Sequence, residues 1–293
     1  MNYLSMPATP DPELQGKIDK AIQIIGGFDG AVVALSAGVD SSLVALLAKM
    51  ALKGRALAVT AVSESLAPGE LKIAKKTAGQ IGINHIEIAT DEVHNTSYIA
   101  NPTNRCYYCK NTLYTELRNE ANSLGFEAII DGTQLDDFGD TRAGLVAARE
   151  AGVRSPLAEA GFSKKDVRQA ARLLGLEVWD KPAMPCLSSR IPHGDQITIQ
   201  KLSQVGEAEE VIKRISGARD IRVRHQGEAA AVEISAEEMP LLRQGNVLPK
   251  IEKELHRIGF RTITLGPRKI SSTGNATSIG NDYVLPILND SAH

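Results

Sequence analysis

The run "AVVALSAGVDSS" (31–42) constrains the fold more than any other stretch of the chain. Its apolar start reads as a buried strand, small residues turn it, and "SSLVALLAKMA" (41–51) then shows helical apolar spacing. A strand that passes directly into a helix opens a strand–helix–strand unit, and repeated units of that kind build a parallel sheet. The rhythm continues. "ALAVTAV" (56–62) reads as a strand, "PGELKIAKKTAGQIG" (68–82) as a helix with proline at its start, and "HIEIAT" (85–90) as a strand. A helix over 108–124, a short strand "AIID" (128–131) and a helical segment from about 140 to 151 follow. "SKKDVRQAARLLGL" (163–176) opens with Ser163 and carries Asp166 three residues later, the spacing of a capping box. The expected fold class is α/β, a doubly wound, mostly parallel sheet.

Near residues 180–195 the pattern stops. "DKPAMPCLSSRIPHGDQ" holds three prolines and no period. Beyond it come a helix over about 200–216, strands "DIRVRH" and "AAVEIS", a helix reset near Pro240 and Pro249, and a strand "RTITL". Two domains are expected, 1–189 and a second, smaller α/β domain over 190–293, with a weakly patterned, mobile tail after about 268.

Composition narrows the function classes. The 43% hydrophobic content supports a real core, and the scarcity of aromatics (4%) suits aliphatic helices packed on a parallel sheet. A net charge of -2 supplies no global field for nucleic acid or membrane. The N-terminus lacks the basic start and apolar run of a secretory leader, and charged and polar residues interrupt the apolar stretch 31–51. A cytoplasmic location is expected. Three cysteines in a chain of this length read as metal-binding or catalytic thiols rather than a disulfide framework.

Small residues in "SAGVDSS" let backbone approach a phosphate, and the following helix offers its first-turn amides and serine hydroxyls to an anion. No Gly-Lys-Ser/Thr closes the motif, so it is not a Walker loop. It resembles the Ser-Gly-Gly-x-Asp-Ser loop of the N-type ATP pyrophosphatases, with Ala37 where glycine is usual. Ser36, Gly38, Asp40, Ser41 and Ser42 form the candidate nucleotide set, with ATP as ligand and Asp40 as the residue that meets Mg²⁺. If position 37 needs a positive φ, alanine distorts the loop. "IIDGTQLDD" (129–137) follows a later strand, and ligands of open α/β sheets gather at carboxyl ends of strands. Asp131, with Gly132 and Thr133, is therefore placed in the same crevice, with Asp136 and Asp137 as lesser candidates.

Cys106 and Cys109 lie in "NRCYYCK" and Cys186 in "PAMPCLSSR". From spacing alone the pair reads as half a zinc site completed by Cys186 and a histidine such as His193, as a redox couple, as iron–sulfur ligands, or as unrelated core residues. Arg105 and Lys110 favour thiolates, and Tyr107 and Tyr108 either stack near a ligand or pack around the cysteines.

"SAGVDSS", "NRCYYCK", "DGTQLDD", "EAGVRSPL", "WDKPAMPCLSSRIPHG" and "IRVRH", in that order, resemble the LarE family over about residues 15–265. The stretch 264–276 departs from that family's pattern. The resemblance implies an ATP-dependent sulfurtransferase that adenylates a carboxylate of a pyridinium mononucleotide in nickel-pincer nucleotide biosynthesis. It implies one of two sulfur sources. Members with one cysteine at the position of Cys186 sacrifice its sulfur, whereas members with three, placed like Cys106, Cys109 and Cys186, hold a [4Fe-4S] cluster that handles sulfide. Catalytic roles fall on Cys186, Asp40 and Asp131. Arg222 and Arg224, on one face of a strand, form a candidate phosphate clamp, and Arg190, Ser188, Arg154, Lys181 and Arg142 join them as substrate candidates. His225 reads equally as a substrate contact or a surface residue. A small-molecule substrate and a sulfide donor are the expected partners, with no membrane and no nucleic acid; a homo-oligomer is compatible with the sequence. Competing readings are a tRNA-thiolating or amide-forming enzyme of the same superfamily and a nucleotide-binding regulator without catalysis.

Overall fold

The computed structural model describes residues 11–139 and 143–267, so the tail expected after about 268 lies outside the described residues. The chain forms two compact units, Met1–Tyr98 with Thr103–Met184, and Ile99–Pro102 with Pro185–His293.

The first unit holds α1 (Pro12–Gly26), β1 (Ala31–Ala34), α2 (Val39–Leu52), β2 (Ala56–Val62), α3 (Glu70–Ile81), β3 (Asn84–Ala89), α4 (Thr96–Ile99, whose last residue is assigned to the second unit), α5 (Arg105–Leu124), β4 (Ala128–Ile130), α6 (Ala143–Glu150), α7 (Pro156–Ala160) and α8 (Lys164–Leu173). Its four strands run parallel in the order β3-β2-β1-β4, with Val32 of β1 opposite Leu57 on one side and Ile129 on the other. Strand side chains alternate between faces, and both faces here are covered. Ala31, Val33 and Leu35 pack with α1, α2 and α8, while Val32, Leu57, Val59 and Ile129 pack with Tyr114 and Leu117 of α5 and Ala147 of α6. That double cover explains why β1 reads as an unbroken apolar run. The α/β, mostly parallel arrangement expected from the sequence is present.

The second unit holds α9 (Ile199–Ser216), β5 (Ile221–Gln226), β6 (Ala229–Ile234), α10 (Met239–Leu242), α11 (Val247–Ile258) and β7 (Thr262–Pro267). β5 and β6 form an antiparallel hairpin and β7 joins β6 in parallel. Pro249 sits in the first turn of α11, where its missing N–H removes no helix bond. The excursion 99–102 belongs to this unit because Asn101 Nδ2 donates to the Pro192 and Asp195 carbonyls at 2.7 and 2.9 Å. Among the described residues no helix is long and apolar enough to cross a membrane.

Candidate nucleotide site and sulfur residues

β1 ends in the loop 35–38, and α2 begins with Gly38 as its N-cap. No side chain caps α2, so its first-turn amides have no partner from the cap side chain. The loop holds itself together through its serines. Ser41 Oγ donates to the Gly38 carbonyl at 3.1 Å and accepts from the Ser36 amide at 3.1 Å, and Ser42 Oγ donates to the Gly38 carbonyl at 2.8 Å. Gly38 itself has an ordinary φ of -79°; the left-handed residue is Ala37, at φ 60°. Alanine thus keeps the loop shape at the cost of strain, about 1–2 kcal/mol relative to glycine.

Asp40 stands in the first turn of α2. Its Oδ2 pairs with Lys164 Nζ from the first turn of α8, and its Oδ1 is buried without a hydrogen-bond partner. An orphaned carboxylate oxygen beside uncapped helix amides is the donor set that a Mg²⁺–phosphate group requires, so the residues present fit one. Lys164 gave a sequence signal only through the capping box. Ser163 Oγ accepts from the Asp166 amide at 3.3 Å and the Asp166 carboxylate accepts from the Ser163 amide at 2.9 Å. Asp136 also accepts from the Lys164 amide at 2.8 Å, so this acid anchors α8. Asp137 accepts from the Gln134 amide at 3.2 Å and closes a turn.

β4 delivers "DGT" beside the loop. Asp131 is buried and occupied by four donors: the Thr133 amide (3.1 Å), Thr133 Oγ1 (2.9 Å), Ser155 Oγ (2.8 Å) and the Tyr114 hydroxyl (3.1 Å). Burial, helped by the Asp131 carboxylate and opposed by Lys110, pushes the Tyr114 phenol up to about 12, so it remains a donor. Asp131 thereby fixes the turn after β4 and the segment 154–155 alongside it. Gly132 makes the close approach. A Cβ there would lie 2.6 Å from the Ser41 amide nitrogen and 2.9 Å from the Asp40 carbonyl carbon. Sequence reading places Gly132 in the crevice but not as the contact that fits β4 to the phosphate loop.

Two candidate substrate cations have partners within the first unit. Lys181 Nζ donates to the Ala37 carbonyl at 3.0 Å and pairs with Glu70, both within the first unit. Arg154 lies on the surface, paired through Nε with Glu159 at 2.9 Å and stacked 5.3 Å from the Phe28 ring centroid; its bond to Glu159 pushes its own pKa up. Arg142 falls outside the described residues.

Cys106 and Cys109 lie in the first turn of α5, three residues apart, on a helix that starts before residue 108. That spacing puts both thiols on one face. Cys106 is exposed and Cys109 partly buried. α6 packs against this turn through Gly144, whose added Cβ would stand 3.3 Å from Lys110 Cγ and 3.9 Å from Cys106 Cβ. The Lys110 ammonium lies 5.3 Å from the Tyr114 ring centroid. Tyr107 donates to Glu150 at 2.7 Å and meets Tyr108 edge-on.

Cys186 opens the second unit, partly buried, at the N-cap of the 3₁₀ turn Leu187–Arg190. Its carbonyl accepts from the Ser189 amide and Oγ at 3.0 and 2.8 Å. Arg190, expected at the substrate, is instead wholly buried: Nε and Nη2 meet the Glu209 carboxylate at 2.7 and 3.2 Å, and Nη1 donates to Ser189 Oγ. Glu209 also accepts from the Val223 amide at 3.0 Å, so one ion pair joins the cysteine turn, α9 and β5. Ser188 is buried in the same turn. Arg222 and Arg224 share one face of β5, both half-buried, and Arg224 is oriented by Glu233 (2.6 Å) and the Ser189 carbonyl (3.0 Å). His225 points to the opposite, core face, against Phe260, with Gln204 at 3.2 Å. His193 is exposed. Within neither unit do three or more His, Cys, Asp or Glu side chains gather as a metal site, among the described residues.

A parallel sheet whose first strand feeds a small-residue loop and an uncapped helix defines a phosphate-loop enzyme of the N-type ATP pyrophosphatase class. The sequence pattern of the NAD synthase family matches residues 13–115. The chain is 45% identical to an uncharacterised protein of Synechocystis over 86% of its length and 94% of that protein's. It is 35% identical to the pyridinium-3,5-bisthiocarboxylic acid mononucleotide synthase of Lactiplantibacillus plantarum, over 80% of this chain and 84% of that one. An uncharacterised protein of Methanocaldococcus jannaschii is 28% identical over 80% of this chain and 88% of its own. The chain belongs to the LarE family of sulfurtransferases.

Proposed function

We propose that this protein transfers sulfur to a carboxylate of a pyridinium biscarboxylate mononucleotide, using ATP, in nickel-pincer nucleotide biosynthesis. The observation that carries the reading is Asp40, with a buried, unpartnered carboxylate oxygen at the uncapped start of α2. It suits a metal-bound triphosphate, and the likeness to a bisthiocarboxylic acid mononucleotide synthase supplies the acceptor. A carboxylate resists attack because its charge repels nucleophiles and oxide leaves poorly. Its oxygen therefore attacks the α-phosphorus of ATP, and pyrophosphate leaves against the α2 amides. Asp40 would hold a Mg²⁺ ion, which would supply positive charge to offset that of the pyrophosphate. Sulfur then attacks the acyl carbon, and AMP departs with the former carboxylate oxygen, leaving a thiocarboxylate. Arg222 and Arg224 hold the nucleotide's phosphate, while Arg190 and Ser188 act by holding the Cys186 turn.

Cys106, Cys109 and Cys186 are the proposed holders of a [4Fe-4S] cluster; the helical pair fits two cluster ligands from one face. Three thiolates would hold such a cluster with one iron left for sulfide, and the chemistry it would supply is delivery of that sulfide. Sacrifice of Cys186 is the alternative, in which its Sγ forms the thioester and the Cβ–S bond then breaks to leave dehydroalanine. A cytoplasmic location, with sulfide available, goes with the first reading.

The test is incubation with ATP, Mg²⁺, the biscarboxylate nucleotide and sulfide. AMP, pyrophosphate and thiocarboxylate are the expected products, and ADP in place of AMP would overturn adenylation. Anaerobic protein should carry about four iron and four sulfide per chain. If neither binds after reconstitution, and each chain makes one thiocarboxylate and is left lacking one sulfur, the sacrificial route replaces the cluster.

A further inference from the structure

We propose that Lys181 is a positioning residue for the phosphate loop: it fixes the peptide between Ala37 and Gly38. The inference rests on the nucleotide-binding reading of that loop. Ala37 holds φ 60°, a conformation that L-residues avoid and that persists only where the surroundings over-determine it. A methyl side chain offers nothing to hold it by, so its backbone must be held.

Lys181 does so. Its ammonium donates to the Ala37 carbonyl at 3.0 Å and is anchored from the other side by Glu70, the first residue of α3. The two side chains are only 14% and 9% exposed, so water competes little for either charge. The backbone end of Lys181 is fixed as well, since its amide donates to the Val178 carbonyl at 3.1 Å and its carbonyl accepts from Arg168 at 3.0 Å. In a trans peptide the C=O and the next N–H point in opposite directions. Anchoring the Ala37 oxygen on Lys181 therefore sets the direction of the Gly38 N–H, one of the loop's anion donors. If the anchor is lost, Ala37 is free to relax to negative φ, and relaxation rotates this peptide plane.

This placement accounts for two departures together. Alanine stands where the superfamily loop carries glycine, and a lysine expected at the substrate is spent on a backbone carbonyl instead. The lysine supplies from outside the loop the conformational hold that alanine makes necessary.

The experiment measures MgATP binding calorimetrically on the full chain without carboxylate substrate, well below each variant's unfolding midpoint. Lys181→Met is expected to weaken MgATP binding about tenfold, the scale of a lost preorganised contact. Adding Ala37→Gly is expected to return most of that affinity, because glycine reaches positive φ without an anchor. A merely structural lysine would lower the unfolding midpoint of the single variant, but Ala37→Gly would not restore its ligand affinity. Glu70→Met with Lys181→Met removes both charges, leaves no unpaired buried carboxylate, and carries the same expectation should the single variant fail to fold. Undiminished binding in Lys181→Met, or no recovery with Ala37→Gly, would overturn the proposal. If the wild-type chain bound no MgATP, the nucleotide reading itself would fall, and the positioning role of Lys181 with it.

Discussion

At Gly132 a single hydrogen is the whole side chain because nothing larger fits. A methyl group would stand 2.6 Å from the Ser41 amide nitrogen and 3.0 Å from its Cα, and both are backbone atoms at the start of a buried helix. Neither side can yield cheaply. Gly132→Ala is expected to destabilise the first unit by about 1–3 kcal/mol, the usual cost of overpacking, and to weaken MgATP binding by moving the α2 amides. A urea midpoint and a binding isotherm check the two effects, and an unchanged midpoint would mean that the turn after β4 moves freely. The residues of the phosphate loop are legible in the sequence because their chemistry is contiguous: serines, a small-residue turn and an aspartate between a strand and a helix. Gly132 and Lys164 are less so. Their roles depend on which elements the fold lays side by side, and local spacing does not encode that. Asp131 shows the opposite limit, since the sequence locates it correctly at a strand end but cannot count the four donors that occupy it.

Elements are most legible where capping chemistry and periodicity agree. Ser163 and Asp166 form the capping box expected from their spacing, and β2 spans 56–62 as its apolar run indicates. Periodicity places the start of α5 three residues late, because "NRCYYCK" lacks apolar spacing and Asn104 makes no side-chain cap. The shift matters, since it moves Cys106 from a loop onto the same helix as Cys109. Arg190 is the element-scale surprise. An arginine beside a candidate sulfur residue invites a substrate role, yet its side chain is wholly enclosed and bridges the Leu187–Arg190 turn, α9 and β5 through Glu209. Arg190→Met strands a buried carboxylate and should cost about 3–5 kcal/mol of unfolding free energy, whereas Arg190→Met with Glu209→Met should recover most of it. Chemical denaturation of the three proteins decides the matter. Near-wild-type stability in the single variant would return Arg190 to the list of substrate contacts.

Across the whole molecule, each unit carries a histidine kept neutral by its surroundings. In the first, the Thr60 hydroxyl donates to the Leu35 carbonyl and so accepts from His85 Nε2 at 2.8 Å. In the second, His225 packs against Phe260 on the core face of β5, and its Nδ1 is buried with no partner. Burial is the main cause that pushes both pKa values below the ordinary 6.5; Lys75 adds to it at His85 and Lys201 at His225, while Glu87 and Asp195 oppose it. A histidine with a lowered native pKa takes up its proton in the unfolded chain first. Its contribution to stability is therefore complete above about pH 6.5 and is lost as pH falls from there through the lowered native pKa. Glu159 and Asp166 act in a separate, more acidic window. Bonds from Arg154 lower the first, and those from Lys17 and Ser163 outweigh burial at the second, so their contributions fade only below about 4.5 and 3.8. Thermal midpoints measured from pH 8 to pH 2 should accordingly decline in two stages, the earlier one beginning near pH 6.5. His225→Gln, which fills similar space without titrating, should flatten the earlier stage for the second unit while leaving the acidic stage in place. A midpoint that stays level until the carboxylate window would mean that neither histidine is held neutral in the folded chain.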